Sequence, residues 1–456
     1  MRVSKQALLP LVVATLVSLS SCDAQSTREA IVPPLPPLPA DAKLAFPGAE
    51  GFGRAARGGR GGQILFVTTL ADAGPGSLRA CIEAEGPRVC VFRVAGLIRY
   101  TTLRPLIRNP YLTIAGETAP GGGITIAHAG GKGAFTPFVI TGTHDIVVRH
   151  VRVRNDRDGE QRRSDSAYII KKSHDVILDH VSASWARDEN VGGYAQNDRI
   201  TISWSVFAQG TPRHDKCALL SSDPTGPQRL SFLHNLCAHN GDRNPDVNVP
   251  PGSCVEVVNN VLYNGSRQFT EVWESYGGTP VNVVGNYYRR GPSTSLLAYA
   301  LDRPLIGSKG TARIFFDANE IDGAGMIVAP IAEAARVKAP VCPLTIVPQS
   351  AAVSYRQVLA GSGAFPRDAV DRRVVSEVRT RTGSIGMPDR TLPSIAPGTP
   401  YRDVDADGMS DAWERAHGSD PTRNDAWEDN DRDGWANIEA FLDAAHRARI
   451  KGQPVD

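Results

Sequence analysis

The pattern in this sequence that most directly predicts chemistry lies near the C-terminus. Between Asp403 and Glu414, oxygen-bearing side chains occupy positions 1, 3, 5, 9 and 12 of a loop, and Gly408 stands at position 6. Calcium loops of the EF-hand type share this pattern, because glycine permits the sharp turn and the closing glutamate supplies two oxygens. The predicted ligands are Asp403, Asp405, Asp407, Asp411 and Glu414.

A second loop of the same type follows, and its glutamate stands at position 11 rather than 12. Its predicted ligands are Asp429, Asp431, Asp433, Asn437 and Glu439. The tail offers no residue that we interpret as a nucleophile or a base. We therefore interpret residues 401–445 as an EF-hand-like or dockerin-like tail in which Ca²⁺ has a structural role.

The N-terminus predicts export. Arg2 and Lys5 precede an apolar run, Ala7 to Leu19, that is too short to span a bilayer as a mature helix. The segment that ends at Cys22 resembles a bacterial lipobox, whose cysteine carries lipid, and an ordinary cleaved signal peptide is the alternative. We predict a signal peptide over residues 1–22 and an anchored lipoprotein, periplasmic or on the cell surface, or a secreted protein if Cys22 carries no lipid.

Charge and cysteine content narrow the classes of partner and compartment. The formal net charge is +2, so we expect no nucleic-acid partner, and an acidic polymer must meet a local basic patch. Six cysteines follow Cys22, and export permits disulfides. Cys81 and Cys90 are the expected pair because they are close in sequence, whereas the connectivity of the other four stays open.

An internal repeat indicates the architecture that must position any site. Six segments share an alternating strand, a bend and a further strand. The bend residues are His150, His180, Trp204, His234, Asn259 and Gly285, at steps of 30, 24, 30, 25 and 26 residues. This spacing predicts a parallel β-helix, whose coils stack while insertions emerge as loops. An all-β sandwich is the alternative, but its strands recur about every 8–12 residues with hairpin turns.

The repeat and the flanking composition divide the chain. Residues 23–43 are predicted to be a Pro-rich linker, residues 44–380 an all-β single-stranded β-helix, residues 381–400 a second linker, and residues 401–445 the tail.

Motifs in the predicted β-helix resemble a known family. The segments Phe46–Gly53 and Val67–Arg79 look like the opening of bacterial pectate lyases of polysaccharide lyase family 1, and Asp179–Trp185 resembles that family's DHxSxSW turn. The resemblance covers residues 44 to 290 and implies a right-handed parallel β-helix. It also implies a monomeric enzyme that cleaves an acidic plant cell-wall polysaccharide, α-1,4-galacturonan, by calcium-dependent β-elimination.

The same resemblance implies the residues of an active site. Arg243, in Asp242–Pro245, matches the arginine of the family's RxP motif, which is the Brønsted base. Lys216 matches the lysine that binds substrate, and Asn248 stands where the family has a second substrate-binding arginine. Arg149 belongs to an arginine-rich run that is either a substrate-binding groove or a solvated face.

For the catalytic Ca²⁺, Asp165 and Asp188 match two ligands of the family. The third acid of the family falls at Gly192, which has no side chain, so Glu189 is the candidate replacement. In this chemistry, Ca²⁺ and the lysine stabilise the charge that develops when the C5 hydrogen of a uronate leaves. The base takes that proton, and the C4 glycosidic oxygen departs.

Two other functions remain compatible with these residues. A hydrolase on the same fold requires paired carboxylates, and its products contain no double bond. A calcium-dependent protein that binds glycans without cleaving them requires neither paired catalytic carboxylates nor a catalytic base. The sequence leaves open the preferred polymer, endo or exo action, and which tail loops hold calcium.

Overall fold

Three parallel sheets wind into a right-handed β-helix of about ten coils. The computed structural model describes residues 42–160, 166–212 and 214–456, together with Met1 and Leu38. Each coil runs from sheet A to sheet B and then to sheet C, and every strand pairs with its equivalent one coil away. This architecture confirms the predicted parallel β-helix.

Sheet A has ten strands in the described residues, and sheets B and C have nine each. The strands of sheet A are β1 (Gln63–Val67), β2 (Arg88–Phe92), β5 (Leu112–Ala115), β8 (His144–Arg149), β11 (His174–Asp179), β14 (Asp198–Ser203), β17 (Arg229–Leu233), β20 (Cys254–Val258), β23 (Pro280–Val284) and β26 (Arg313–Asp317). Those of sheet B are β3 (Gly96–Tyr100), β6 (Ile124–His128), β9 (Val151–Arg154), β12 (Ser182–Ser184), β15 (Val206–Ala208), β18 (Leu236–Ala238), β21 (Val261–Tyr263), β24 (Tyr287–Arg289) and β27 (Glu320–Asp322). Those of sheet C are β4 (Leu106–Ile107), β7 (Phe138–Thr141), β10 (Tyr168–Lys171), β13 (Glu189–Tyr194), β16 (Lys216–Ser222), β19 (Asp246–Val247), β22 (Gln268–Val272), β25 (Ala298–Asp302) and β28 (Met326–Val328).

The predicted bend residues form a stack between sheets A and B. Each has a left-handed backbone, with φ between 50° for Trp204 and 65° for Gly285. Their rings stack from coil to coil, with centroids 5.2 Å apart for His150 and His180, and 4.3 Å apart for Trp204 and His234. The repeat in the sequence therefore reflects one bend that recurs on every coil.

An asparagine ladder lies beside this stack inside the coils. The backbone N–H of Asn235 donates to Asn260 Oδ1 at 2.8 Å, and the N–H of Asn260 donates to Asn286 Oδ1 at 2.9 Å. The rest of the interior is apolar, with isoleucine, valine, leucine and phenylalanine from all three sheets in one cluster. The asparagines of the ladder thus find partners without water, whereas the buried Nδ1 of the bend residue His234 has no hydrogen-bond partner among the described residues.

Helices cover two of the three sheets. The helices are α1 (Leu78–Glu83), α2 (Pro330–Glu333), α3 (Ala351–Gly361), α4 (Ala369–Thr380), α5 (Asp411–His417) and α6 (Asn437–Ile450), with a 3₁₀ turn at Gly116–Thr118. Helices α3 and α4 share a hydrophobic cluster with the outer face of sheet B. Helices α5 and α6 of the tail do the same on the first strands of sheet A. The covering elements leave sheet C as the sheet that carries the candidate site.

Three disulfides staple the body. They join Cys81 to Cys90, Cys217 to Cys237, and Cys254 to Cys342. The first is the pair expected from sequence, and the other two lay beyond what spacing could assign. Within the described residues, we find no helix long and apolar enough to cross a membrane.

Candidate active site

The candidate site is built where successive coils enter sheet C. Glu189 begins β13 and pairs in register with Lys216, which begins β16 on the next coil. Lys216 in turn bridges to Asp242, and Arg243 follows at the bend before β19. Because neighbouring strands lie about 4.8 Å apart, three coils bring these side chains together.

Arg243 lies at the centre of this group. Its Nη1 donates to Glu189 Oε1 at 2.6 Å, and its Nε lies 3.4 Å from Asp246 Oδ2. Its backbone N–H donates to Glu271 Oε1 at 2.9 Å, and the backbone φ of 51° is left-handed. The side chain is 22% exposed, so it remains accessible although carboxylates fix two of its nitrogens.

The charges around Arg243 set its protonation. Burial alone lowers the pKa of the guanidinium, but the charges of Asp246, Glu189 and Glu271 outweigh burial and raise its pKa. Burial would raise the pKa of Glu189, yet hydrogen bonds from His214 and Tyr194 and the charge of Arg243 lower it to about 2. In this state Arg243 is a cation and Glu189 an anion.

Two further carboxyl groups lie on the far side of Arg243. Asp246 pairs in register with Glu271 on the next coil, and both residues are buried. Burial and then the charge of Glu271 hold the pKa of Asp246 well above its usual value. Burial and then the charge of Asp242 raise the pKa of Glu271. This side of the site is therefore less ionised than the Glu189 side.

The predicted metal ligands Asp188 and Glu189 lie together with an imidazole. His214 Nε2 is 3.0 Å from Asp188 Oδ1 and 3.4 Å from Glu189 Oε1. The hydrogen bonds that His214 donates to Asp188 and then Glu189 raise the pKa of the imidazole. The three ligand atoms lie within 4.8 Å of one another, so a divalent cation has donors here.

Gly192 supplies no ligand, and the structure shows what fills its place. A Cβ on Gly192 would lie 2.6 Å from Cε2 of Tyr194. The Tyr194 hydroxyl donates to Glu189 Oε2 at 2.7 Å. The ring thus occupies the space that a side chain at position 192 would need, and its hydroxyl orients Glu189.

Lys216 completes the set on the middle coil. Its Nζ forms an ion pair with Asp242 Oδ1, and its side chain is 13% exposed. Two cationic side chains, Lys216 and Arg243, therefore stand on adjacent coils beside a group of cation-binding donors. This arrangement suits a polyanion that lies along sheet C.

Comparison with known proteins decides the family. The chain is 33% identical over 409 residues to a protein of the fungus Neosartorya fischeri named probable pectate lyase C, covering 84% of this chain and 90% of that protein. The chain belongs to the pectate lyase family. The Emericella nidulans protein of the same name is 31% identical over 429 residues, which cover 88% of this chain and 93% of that protein.

The fold comparison agrees. The cedar-pollen major allergen Jun a 1 superposes with a TM-score of 0.52 at 16% sequence identity, over 69% of this chain and 92% of the allergen chain. No family model matches the sequence. The comparisons confirm the expected polysaccharide lyase class and lend no support to the bacterial qualifier of the resemblance, since these close relatives are fungal.

One predicted substrate-binding residue of the lyase, Arg149, does not lie in the cleft, so this prediction is wrong. Arg149 ends β8 in sheet A, where the side chain is only 3% exposed. It lies 3.3 Å from Glu117 Oε1, and its guanidinium stacks 4.2 Å from the Phe46 ring. Because Arg149 is on another sheet and is covered, it contributes to packing rather than to the cleft.

The other residues predicted for the cleft lie in different places. Asn248 exchanges hydrogen bonds with Ser275, at 3.1 Å to the backbone N–H and 3.3 Å to Oγ, so its amide is engaged within the loops. Asp165 and Cys22 lie outside the described residues. The sequence missed Asp246 and Glu271 as partners of Arg243, and His214 and Tyr194 as partners of Glu189. Register between adjacent coils was the only available signal.

In the tail of the lyase, the predicted acidic residues lie in separate groups of closely spaced carboxylates. Asp403, Asp405 and Asp407 have oxygens within 4.8 Å of one another, as do Asp429, Asp431 and Asp433. Glu414 instead joins Asp407 and a residue that the motif did not predict, Asp425. Burial and then the charges of nearby acids raise the pKa of Asp407 to about 7 and of Glu414 to about 8.

The position-9 residues have another role than the predicted ligation. The N–H of Val404 donates to Asp411 Oδ1 at 2.9 Å, and in the second loop the N–H of Asn430 donates to Asn437 Oδ1 at 3.2 Å. Each side chain therefore closes its own loop.

Glu439 also departs from its predicted role. Its carboxylate pairs with Lys43 Nζ at 3.0 Å and with Arg60, and it accepts the N–H of Ala436 at 3.1 Å. These bonds start α6 and tie it to the N-terminal segment, away from the second loop's ligands.

Proposed function

We propose that this lyase cleaves α-1,4-galacturonan by calcium-dependent β-elimination, with Arg243 as the base. The observation that carries the proposal is the placement of Arg243, Lys216 and the Asp188–Glu189 pair on three adjacent coils of the exposed sheet. A uronate polymer offers carboxylates to the cations and an acidic C5 hydrogen to the base. The fungal relatives named pectate lyases support the same substrate class.

Lys216 binds and orients the substrate. Its ammonium now pairs with Asp242, and a sugar carboxylate is the natural competitor for that ammonium. Bound to the carboxylate next to C5, Lys216 stabilises the negative charge that appears there when the hydrogen leaves. The side chain therefore lowers the barrier rather than only adding affinity.

Arg243 takes the C5 proton through a guanidinium nitrogen. Glu189 and Asp246 hold Nη1 and Nε, so Nη2 is the nitrogen left for the substrate among the described contacts. These two carboxylates orient the guanidinium, but their charges also favour its protonated form. A protonated guanidinium cannot accept a proton, so Arg243 must first release its own proton to solvent, which alkaline pH favours.

The carboxylates of Asp188 and Glu189 would hold the cation. Bound there, Ca²⁺ supplies Lewis-acid stabilisation of the uronate carboxylate. If Glu189 turned towards such an ion, it would leave Arg243 and His214, and this would weaken the support for the guanidinium charge. In this proposal, an ion held by Asp188 and Glu189 would make it easier for Arg243 to lose its proton.

The export features complete the proposal. A polysaccharide of the plant cell wall lies outside the cell, and the N-terminal segment that precedes the described residues resembles a signal with a lipid-carrying Cys22. We infer an exported monomer that is anchored by lipid at Cys22. Mass spectrometry of the mature N-terminus tests this part, because an unmodified cleaved chain would contradict the anchor.

An absorbance assay tests the activity. β-Elimination leaves an unsaturated uronide that absorbs ultraviolet light, so polygalacturonate with Ca²⁺ should give rising absorbance, and chelator should stop it. No absorbance with Ca²⁺ at any pH from neutral to alkaline would contradict the proposal. Glu414→Gln changes only the tail. Activity that this variant keeps, and that chelator stops, depends on an ion in the cleft and not on an ion in the tail.

A further inference from the structure

The first tail loop buries carboxylate oxygens that the chain leaves without partners. Both oxygens of Asp405 and of Glu414, Oδ2 of Asp407 and Oδ1 of Asp425 have no hydrogen-bond partner among the described residues. Asp407 and Glu414 are fully buried. An unpaired buried carboxylate is costly, so this concentration of them points to a bound cation.

The oxygens belong to one site. Asp403, Asp405 and Asp407 form one close group, and Asp407, Glu414 and Asp425 form another. Because Asp407 belongs to both, five carboxylates converge on the same place. A hard divalent cation of the calcium class takes six to eight such oxygens, whereas softer metals prefer nitrogen or sulfur donors.

Asp425 is oriented as a ligand although it lies beyond the loop motif. Its Oδ2 accepts the N–H of Asp420 at 3.2 Å and lies 3.3 Å from Arg423 Nη2. These contacts anchor one oxygen of the buried side chain and leave Oδ1 for the site. Asp425 thus takes a place that the motif would assign to Asp411, whose carboxylate is engaged by Val404 and Arg415.

The same loop is part of the contact between the tail and the β-helix. A Cβ on Gly408 would lie 2.9 Å from Ile64 Cγ2 of β1 and 3.3 Å from Ile438 Cδ1 of α6. The Tyr401 hydroxyl donates to the Gly408 carbonyl at 2.7 Å. Met409 and residues of α6 pack in one cluster with Val91 of sheet A. Any expansion of the loop therefore moves the tail off sheet A.

We propose that the first tail loop binds one divalent cation of the calcium class with Asp425 as a ligand, and that this ion holds the tail on sheet A as a cap for the N-terminal coils. The second loop has the same backbone, with φ of 60° at Arg432 and 92° at Gly434, but Asp429, Asp431 and Asp433 are exposed. Exposed carboxylates are solvated without an ion, so the second loop binds more weakly.

Calorimetric titration of the whole enzyme with CaCl₂ tests the ligand set. Wild type should show a tight tail site besides any binding in the cleft, and Asp425→Asn should weaken the tail site alone by about tenfold to 100-fold, because it removes one charged ligand. The matched control Asp431→Asn lies in the exposed loop and should leave the tight site unchanged. Equal affinity in Asp425→Asn and wild type would overturn the assignment.

Thermal unfolding tests the cap. At about 100 times its dissociation constant, Ca²⁺ should raise the unfolding midpoint of wild type by about 3 °C, and Glu414→Gln should abolish that rise. Without metal, Glu414→Gln should unfold at the same or a higher temperature than wild type, because the amide keeps the shape of a side chain whose carboxylate form has no partner, and it carries no charge to bury. A lower midpoint for metal-free Glu414→Gln would contradict the proposal. Neither readout uses cleavage, so this site and the proposed activity fail or hold separately.

Discussion

The cleft on sheet C and the first tail loop both concentrate buried carboxylates, but they neutralise them differently. In the cleft, Glu189 meets Arg243 and His214, and Asp242 meets Lys216. In the tail, both oxygens of Glu414 have no partner among the described residues. The cleft therefore folds with its own cations, whereas under our proposal the tail is completed by a bound ion.

The largest expected effect is a loss of kcat, and it comes from a change on the cationic side of the cleft. Arg243→Ala should lower kcat for polygalacturonate by about 1,000-fold, the usual contribution of a general base. Substrate binding should persist, because Lys216 and the metal donors remain. Initial rates of ultraviolet absorbance measure the loss, and Arg313→Ala, an exposed arginine on sheet A, is the control. A rate within tenfold of wild type would remove Arg243 from the base role.

The same substitution should have opposite signs in the two regions. Glu189→Gln leaves Arg243 with one fewer buried anion and should reduce the free energy of unfolding by about 1–3 kcal/mol. Glu414→Gln in metal-free enzyme replaces a buried carboxyl group whose oxygens have no partner, and it should leave that free energy unchanged or raise it. Urea unfolding in chelator measures both variants. Destabilisation of both by the same amount would show that the tail acids are compensated after all.

Acid should loosen the tail at a point where it meets the β-helix. His446 of α6 accepts a hydrogen bond from His150 Nε2 at 2.8 Å, because the Phe365 N–H donates to His150 Nδ1. Burial is the largest cause that lowers the pKa of both rings. The next causes are the charges of His180 and then Arg149 for His150, and of Arg149 and then His180 for His446. Both therefore stay neutral in the fold.

The sign of the pH effect follows. Below about pH 6.5 the unfolded chain binds protons that the folded rings refuse, so stability is full above that pH and falls below it, by about 1 kcal/mol per histidine per pH unit. Asp179 and Asp443 face the cluster as acids, and Arg447 and Arg449 add positive charge. His446→Gln should flatten the dependence of the unfolding midpoint on pH between 6.5 and about 5. Identical slopes for the variant and wild type would exclude this contribution.

The smallest effect concerns the second loop. Asp431→Asn removes an exposed carboxylate, and surface changes of this kind alter the free energy of unfolding by about 0.5 kcal/mol or less. Thermal unfolding in saturating Ca²⁺ measures it. A change as large as that of Asp425→Asn would make the two loops equal and would break the contrast between buried and exposed sites.

The parts of the molecule that repeat could be predicted from sequence. The bend residues from His150 to Gly285 recur because each coil needs a left-handed residue at the same place, and the strands alternate around them. The spacing of Asp403, Asp405 and Asp407 fixed a loop for the same reason, since local backbone geometry sets it. Local patterns thus carry the coil and the core of each tail loop.

Contacts between distant segments could not be predicted in this way. Nothing in the spacing shows that the tail covers sheet A. The sequence therefore predicts either a substrate-binding groove or a solvated face for Arg149, whereas the residue is buried beside Phe46. Asp425 lies outside any motif, and the tail fold alone brings it to Glu414. The neighbours of Arg243 depend on register across coils, which a count of residues does not give.

The measurement that tests the central claim most directly is product analysis of wild-type enzyme on polygalacturonate with Ca²⁺. New chain ends are counted by their reducing groups, and unsaturated ends by ultraviolet absorbance. Elimination predicts equal molar amounts of the two, because each cleavage makes one double bond and one reducing end. Reducing ends without absorbance would mean hydrolysis, and neither signal would mean that this chain does not cleave galacturonan.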